Sequence, residues 1–242
     1  MRRVRAEVLN AKRVGAYHSI TIVAPEVAER VRPGQFVSVA MPEGRTFLLR
    51  RHFSIHQASR RGGWAGTLEF VFDPRGPGSS WLAEVKAHQF LDVIGPLGKA
   101  FAYPAKLTTC LLVAEGHGSA PMFFLGQELL ARGKRVDMLV GAETQELVFK
   151  PIEGKRLAQT IVITTEDGSL GETGGVIDVL PQVVESTGAQ VIYAATGRRT
   201  LRRISEFCAE RRIPAQVAVE EEMACGIGLL PARLYARRAL PA

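Results

Sequence analysis

Arg51 and Ser54 stand three residues apart in the apolar stretch TFLLRRHFSIH, residues 46–56. A guanidinium fork and a hydroxyl on one strand suit a phosphate and the polar edge of a neighbouring ring. An edge-strand arginine beside a capped serine is the alternative. Downstream, Gly76-Pro77-Gly78-Ser79-Ser80-Trp81-Leu82 forms a glycine-rich turn that opens a helix. Backbone amides at a helix start attract an anion, and Gly78 lets a pyrophosphate come close to the main chain. An N-cap serine after a turn accounts for the same residues. A third candidate is Cys225 in EMACGIG (222–228), which resembles the opening of a metal-cluster loop. A plant-type two-iron layout, C-x4-C-x2-C, counted from Cys225 lands on Leu230 and Arg233, and neither ligates iron. Cys110 and Cys208 fall in an expected strand and an expected helix, and the histidines show no compensating spacing. The spacing predicts no [2Fe-2S] centre and no other metal site, with Gly226 and Gly228 retained as a packing element.

The elements that must position these residues fall into two series. HSITIVAP (18–25), GQFVSVAMP (34–42), TFLLRRHFSIH (46–56) and GTLEFVFDP (66–74) are short β-branched and aromatic runs separated by Pro-Gly or Gly-Gly. With SSWLAEVKAH as a helix before LDVIGPLG, they predict an N-terminal antiparallel β-barrel or sandwich. From Leu107 the rhythm changes. TTCLLVAEG, KRVDMLVGAE, AQTIVITTEDG, GAQVIYAATG and PAQVAVEE are buried-strand runs, alternating with the helical segments SAPMFFLGQELLARG, ETGGVIDVLPQVVEST and RRTLRRISEFCAERR. That alternation predicts an α/β doubly wound parallel sheet. The expected division is a barrel over 1–103, an α/β domain over 104–219 and a C-terminal segment over 220–242.

Composition narrows the partners. The 31 basic and 24 acidic side chains of the 242 residues give a formal charge of +7. The arginines lie in short, scattered pairs without a basic run or aromatic platform, which argues against nucleic acid. No stretch has the length of a membrane span, and the basic start MRRVRAEVLN leads into no signal-type core. Three cysteines, an odd number, point to a reducing cytoplasm.

PGQF (33–36), Arg51-x-x-Ser54, the Gly76–Ser79 helix start and GPLG (95–98) occur in the order found in flavin-binding domains of the ferredoxin-reductase class. Within that class, TTEDGSLGETGGVIDVL (164–180) and EEEMACGIG (220–228) resemble the electron-transfer subunits of two-component dihydroorotate dehydrogenases. The resemblance runs from about Arg32 to Gly228. It implies that Arg51, Phe53 and Ser54 hold FAD, that Val71 and Phe72 border the flavin, and that Gly78 and Ser79 meet its pyrophosphate. It also implies NAD(P)H as reductant, with Gly116 and Gly118 shaping the nicotinamide side. The expected partner is an FMN-containing dihydroorotate dehydrogenase catalytic subunit of pyrimidine biosynthesis.

Several positions depart from the family pattern. His52 replaces a proline. Asp73 stands where the flavin-facing strand has an arginine, with Arg75 as a substitute. Glu115 puts a carboxylate into the nucleotide turn Ala114–Pro121. Ala195-Thr196-Gly197 replaces a Cys-Gly-Pro beside the nicotinamide, with Arg198 and Arg199 following. His117, between the two glycines, has no proton to move in a hydride transfer and is assigned a structural or phosphate-adjacent place. A stand-alone NAD(P)H:acceptor flavin reductase and a non-catalytic flavin-binding accessory subunit are the alternative functions.

Overall fold

The computed structural model describes residues 1–41, 49–60, 63, 65–220, 223 and 226. The expectations placed on Cys225, Gly228, Leu230 and Arg233 lie outside the described residues.

Six strands close into an antiparallel barrel: β1 (Arg2–Val14), β2 (Tyr17–Val23), β3 (Phe36–Val39), β4 (Arg51–Ser59), β5 (Thr67–Phe72) and β6 (Phe90–Leu97), in the order β1-β2-β5-β4-β3-β6. Closure removes the exposed edges that an open sheet would leave. Two short helices, α1 (Pro25–Ala28) and α2 (Pro77–Ala83), interrupt the series. The interior is filled by alternate residues, among them Ile20, Ile22, Val37, Val39, Phe53, Ile55, Leu68, Phe70 and Phe72. The strand β1 was not among the runs expected from sequence. Its inward set, Val4, Ala6 and Val8, alternates with arginines and other polar residues, so the short apolar signal is diluted by charge.

Two of the sequence motifs lock onto each other. A side chain at Gly98 would lie 2.7 Å from the Phe36 ring, and Gln35 Nε2 donates to Gly98 O at 3.1 Å. PGQF and GPLG are thus one packed corner.

The second unit is a six-stranded sheet in the order β10-β9-β8-β7-β11-β12. Its strands are β7 (Thr109–Glu115), β8 (Arg135–Ala142), β9 (Thr160–Thr165), β10 (Glu172–Thr173), β11 (Val191–Ala195) and β12 (Ala215–Val217), all paired in parallel. Helices α3 (Ser119–Leu130) and α4 (Pro151–Leu157) pack on one face, α5 (Val176–Thr187) and α6 (Arg198–Arg211) on the other. The short elements α4 and β10 were not expected from the sequence. The strand order reverses between β7 and β11, and in such sheets ligands sit outside the carboxyl ends at that point.

The two units interlock. Phe124 of α3 belongs to the barrel core, while Tyr17 of β2 belongs to the core of the sheet and donates to Leu147 O at 2.8 Å. No helix among the described residues is long and apolar enough to cross a membrane.

Candidate functional site

Strand β4 sorts its residues by parity. Phe53 and Ile55 point into the barrel core, Phe53 stacked on Phe70 with ring centroids 5.0 Å apart. His52 and Ser54 therefore take the outward face, and His56, at a register shift of the β4–β5 ladder, is buried against α3. Arg51 shares the parity of Phe53 but sits at the end of the strand, where its guanidinium leaves the barrel. Arg51 and Ser54 thus address different places, one at the mouth of the barrel and one on its outer wall.

The two adjacent arginines separate sharply. Arg50 is committed to the barrel: its Nη2 donates to Ser38 O at 2.9 Å and to Asp92 Oδ1 at 3.0 Å. Arg51 uses Nη1 on Leu49 O at 2.8 Å, and its Nε and Nη2 lie beside Gly78. A side chain at Gly78 would come within 3.0 Å of Arg51 Nε and 3.2 Å of Met41 Sδ. The absence of a Cβ lets the cation lie against the first turn of α2, whose leading amides have no intrahelical acceptor. Ser79 closes that turn, its Oγ accepting from Gly76 N and donating to Gly76 O, both at 3.1 Å. Arg51, Gly78 and Ser79 come together as one cationic, amide-rich corner.

Val71 and Phe72, being adjacent on β5, face opposite ways. Phe72 is in the barrel core, whereas Val71 packs with Tyr17 in the core of the sheet. Phe53 and Phe72 are hence interior aromatics, and the outer wall toward the sheet is made by Ser54 and Val71. Asp73 is held by Arg75, with Arg75 Nε 2.7 Å from Asp73 Oδ2. Burial, with the Asp73 charge adding to it, pushes the Tyr17 phenol up to about 12.

On the sheet side, Gly116 has φ +54 and Gly118 opens α3. A Cβ at Gly118 would lie 2.6 Å from Ala195 O, so the β7–α3 turn touches the end of β11 at the switch point. Ser119, in the first turn of α3, is fully buried and its hydroxyl has no hydrogen-bond partner; Thr164 Oγ1 on β9 is in the same condition. Glu115 leans over Gly141, toward Thr164 and Val176, so its side chain lies on the α5 face, opposite α3. His117 Nε2 is 3.4 Å from Glu220 Oε2, and the imidazole holds that carboxyl below its ordinary range.

The C-terminal segment touches the barrel at one described point. His52 Nε2 donates to Met223 O at 3.0 Å, and Gly226, at φ +68, lies so close to the imidazole that a side chain there would overlap it. No His, Cys, Asp and Glu cluster of metal-site geometry occurs among the described residues.

Comparison with known proteins follows this geometry. No protein-family model matches the chain. The dihydroorotate dehydrogenase B (NAD(+)) electron transfer subunit of Desulforamulus reducens is 33% identical over 205 residues, covering 85% of this chain and 77% of that protein. The subunit of the same name from Bacillus mycoides is 32% identical over 233 residues, covering 94% and 86%. The chain belongs to this family of electron transfer subunits. Among solved structures, the NADH-dependent reduced ferredoxin-NADP oxidoreductase superposes with a TM-score of 0.81 at 20% identity, over 95% of this chain and 81% of that one. A ferredoxin NADP+ reductase from Neisseria gonorrhoeae with bound FAD and NADP gives 0.70 at 16% identity, over 90% and 100%. The barrel and sheet therefore share the ferredoxin-reductase fold. Within the electron transfer subunit family, the residues that sequence reasoning passed over here are Ser119, Thr164 and His56. Ser119 lies in the turn Ala114–Pro121 and Thr164 opens TTEDGSLGETGG, but the burial of all three is created by elements distant in the chain.

Proposed function

We propose that this chain is a FAD-binding electron-transfer subunit that takes electrons from a reduced nicotinamide and passes them to a partner flavin subunit. The observation that carries the reading is the guanidinium of Arg51 lying against Gly78 at the start of α2. A forked cation and unpaired amides meet in a corner that fits a pyrophosphate. Ser54 and Val71 would border the ring system on the outer wall of the barrel. Gly116, Gly118 and the unsatisfied hydroxyl of Ser119 would receive the nicotinamide nucleotide at the switch point. Bound FAD supplies hydride acceptance and single-electron release. The protein's part is to hold the two cofactors face to face and to keep the site dry.

The names of the relatives support an NAD-linked electron source and a dihydroorotate-oxidising partner subunit; an FMN-containing chain is the candidate partner, and the cytoplasm is the compartment of this reading. Residues at the ligand spacing after Cys225 do not fit a two-iron cluster, since Leu230 and Arg233 offer no soft donor. Electrons in this reading leave the flavin without a metal relay. The test is an anaerobic titration of freshly purified protein with NADH, followed across the visible spectrum with iron and acid-labile sulfide assayed in parallel. A yellow protein that bleaches, with iron far below one atom per chain, is the expected result. Stoichiometric iron and sulfide would overturn the relay-free reading, and colourless protein that takes up no FAD would overturn the flavin reading. Turnover with small acceptors in the absence of any second subunit would favour a stand-alone reductase.

A further inference from the structure

His56 is buried between the barrel and the sheet. Its Nδ1 donates to Ala120 O at 2.7 Å, and its Nε2 accepts from Lys150 Nζ at 3.1 Å. Phe123 and Phe149 pack edge-on around the ring at centroid distances of 5.6 and 5.3 Å. The carbonyl of Ala120 can only accept, so the proton sits on Nδ1 and the lone pair of Nε2 is filled by the ammonium. Every polar position of the imidazole is used, in its neutral form. Lys150 itself is held at φ +45, a left-handed conformation uncommon for a side-chain-bearing residue.

The position of this ring in the sequence gives the contact its meaning. His56 lies two residues beyond Ser54 in β4, at the register shift between Ile55 and Gln57, and Ala120 lies two residues beyond Gly118 in α3. One imidazole therefore bridges the strand that borders the flavin side to the turn that shapes the nicotinamide side. We propose that His56 is a positioning residue that fixes the spacing between the two half-sites, and that taking up a proton releases this latch. The proposal rests on the flavin reading only for its consequence in catalysis. A second proton has one place to go, Nε2, and the Lys150 ammonium must leave to admit it.

Lys150 precedes α4, Glu153 lies in its first turn, and Glu69 is on β5, where it accepts from Ser19 Oγ at 2.5 Å. Helix α3 contributes the Ala120 carbonyl and an uncharged ring. Burial, followed by Lys150, works against protonation; Glu69 and Glu153 work for it. The net direction is downward from the ordinary imidazole value, so the latch is closed at neutral pH and opens in acid.

The experiment uses full-length, FAD-loaded protein and three variants: His56→Phe, His56→Gln and Lys150→Met. The rate of flavin reduction by NADH in stopped flow, and the long-wavelength charge-transfer band of nicotinamide on flavin, are followed from pH 7.5 to 5. Wild type should lose both as the pH falls below the ordinary imidazole range. Lys150→Met should move that midpoint upward, because the ammonium no longer fills Nε2. His56→Phe should weaken the band and slow reduction at every pH while abolishing the pH dependence. His56→Gln, which can still donate to Ala120, should recover part of the neutral-pH rate. A wild-type band, rate and pH profile in His56→Phe would overturn the proposal. Hydrogen exchange of residues 119–124 and 53–58, measured on flavin-free protein, judges the latch separately from the flavin reading. Faster exchange in His56→Phe than in wild type supports the latch even if no flavin binds, and unchanged exchange rejects it.

Discussion

Two neighbouring arginines with the same chemistry have different fates because of where β4 begins. Arg50 is spent on Ser38 and Asp92, while Arg51 is delivered to Gly78. Replacing Arg51 with Ala should raise the FAD dissociation constant by roughly 10- to 150-fold, the range for losing a charge-assisted hydrogen bond. The same substitution at Arg50 should act mainly on barrel stability. Fluorescence titration with FAD and a urea midpoint for each variant distinguish the two. Gly78→Ala is a finer probe. Its Cβ would meet the far end of a flexible side chain 3.0 Å away, so the fold should survive while the guanidinium moves aside. Flavin affinity should fall by less than in Arg51→Ala, and the two changes should not add.

At the level of elements, the turn from β7 into α3 is the most constrained part of the site. Gly118 lies 2.6 Å, measured from the place of a Cβ, from Ala195 O at the end of β11. That obstacle is backbone in a central strand and cannot rotate away. Gly118→Ala should therefore cost about 1–3 kcal/mol of stability by overpacking, read as a lower denaturation midpoint, together with weaker NADH binding. The sequence showed the glycines but not why the second is needed; the reason lies in β11, more than seventy residues onward. The segment TTEDGSLGETGG has a similar explanation. Gly171 at φ +74 and Gly168 at φ +74 turn the chain between β9 and β10, with Asp167 Oδ1 accepting from Ser169 N at 3.0 Å.

Over the whole molecule, barrel and sheet behave as one packed body. Phe124 reaches from α3 into the barrel core, so Phe124→Ala should cost about 3–5 kcal/mol and still leave a single calorimetric transition. Two resolved transitions would contradict the interlocked core. Acid should act on the molecule through its inner histidines. Burial lowers the folded values of both His52 and His56 below the ordinary one. Below about pH 6.5 the unfolded chain then binds more protons than the folded one. Stability should fall as the pH drops from about 6.5 toward the folded values, and be unaffected by these groups above it. A thermal midpoint that declines between pH 6.5 and 5, before most carboxylates titrate, is the expected outcome. The decline should be shallower in His56→Gln.

The sequence by itself determined the architecture, because short β-branched and aromatic runs set off by glycine and proline, followed by alternation of strand and helix, are local properties that survive any arrangement of neighbours. It also marked Arg51 and Gly78, a guanidinium in a strand and a glycine in a turn, while Gly116 and Gly118 entered through the family resemblance. It hid β1, where arginines dilute a short inward set. Which arginine turns to α2, which of Val71 and Phe72 faces outward, and that His56 reaches from β4 to Ala120 of α3 were decided only by the tertiary structure. Those facts depend on strand parity and on contacts between residues 27 to 94 positions apart, and no local pattern encodes a separation of that kind.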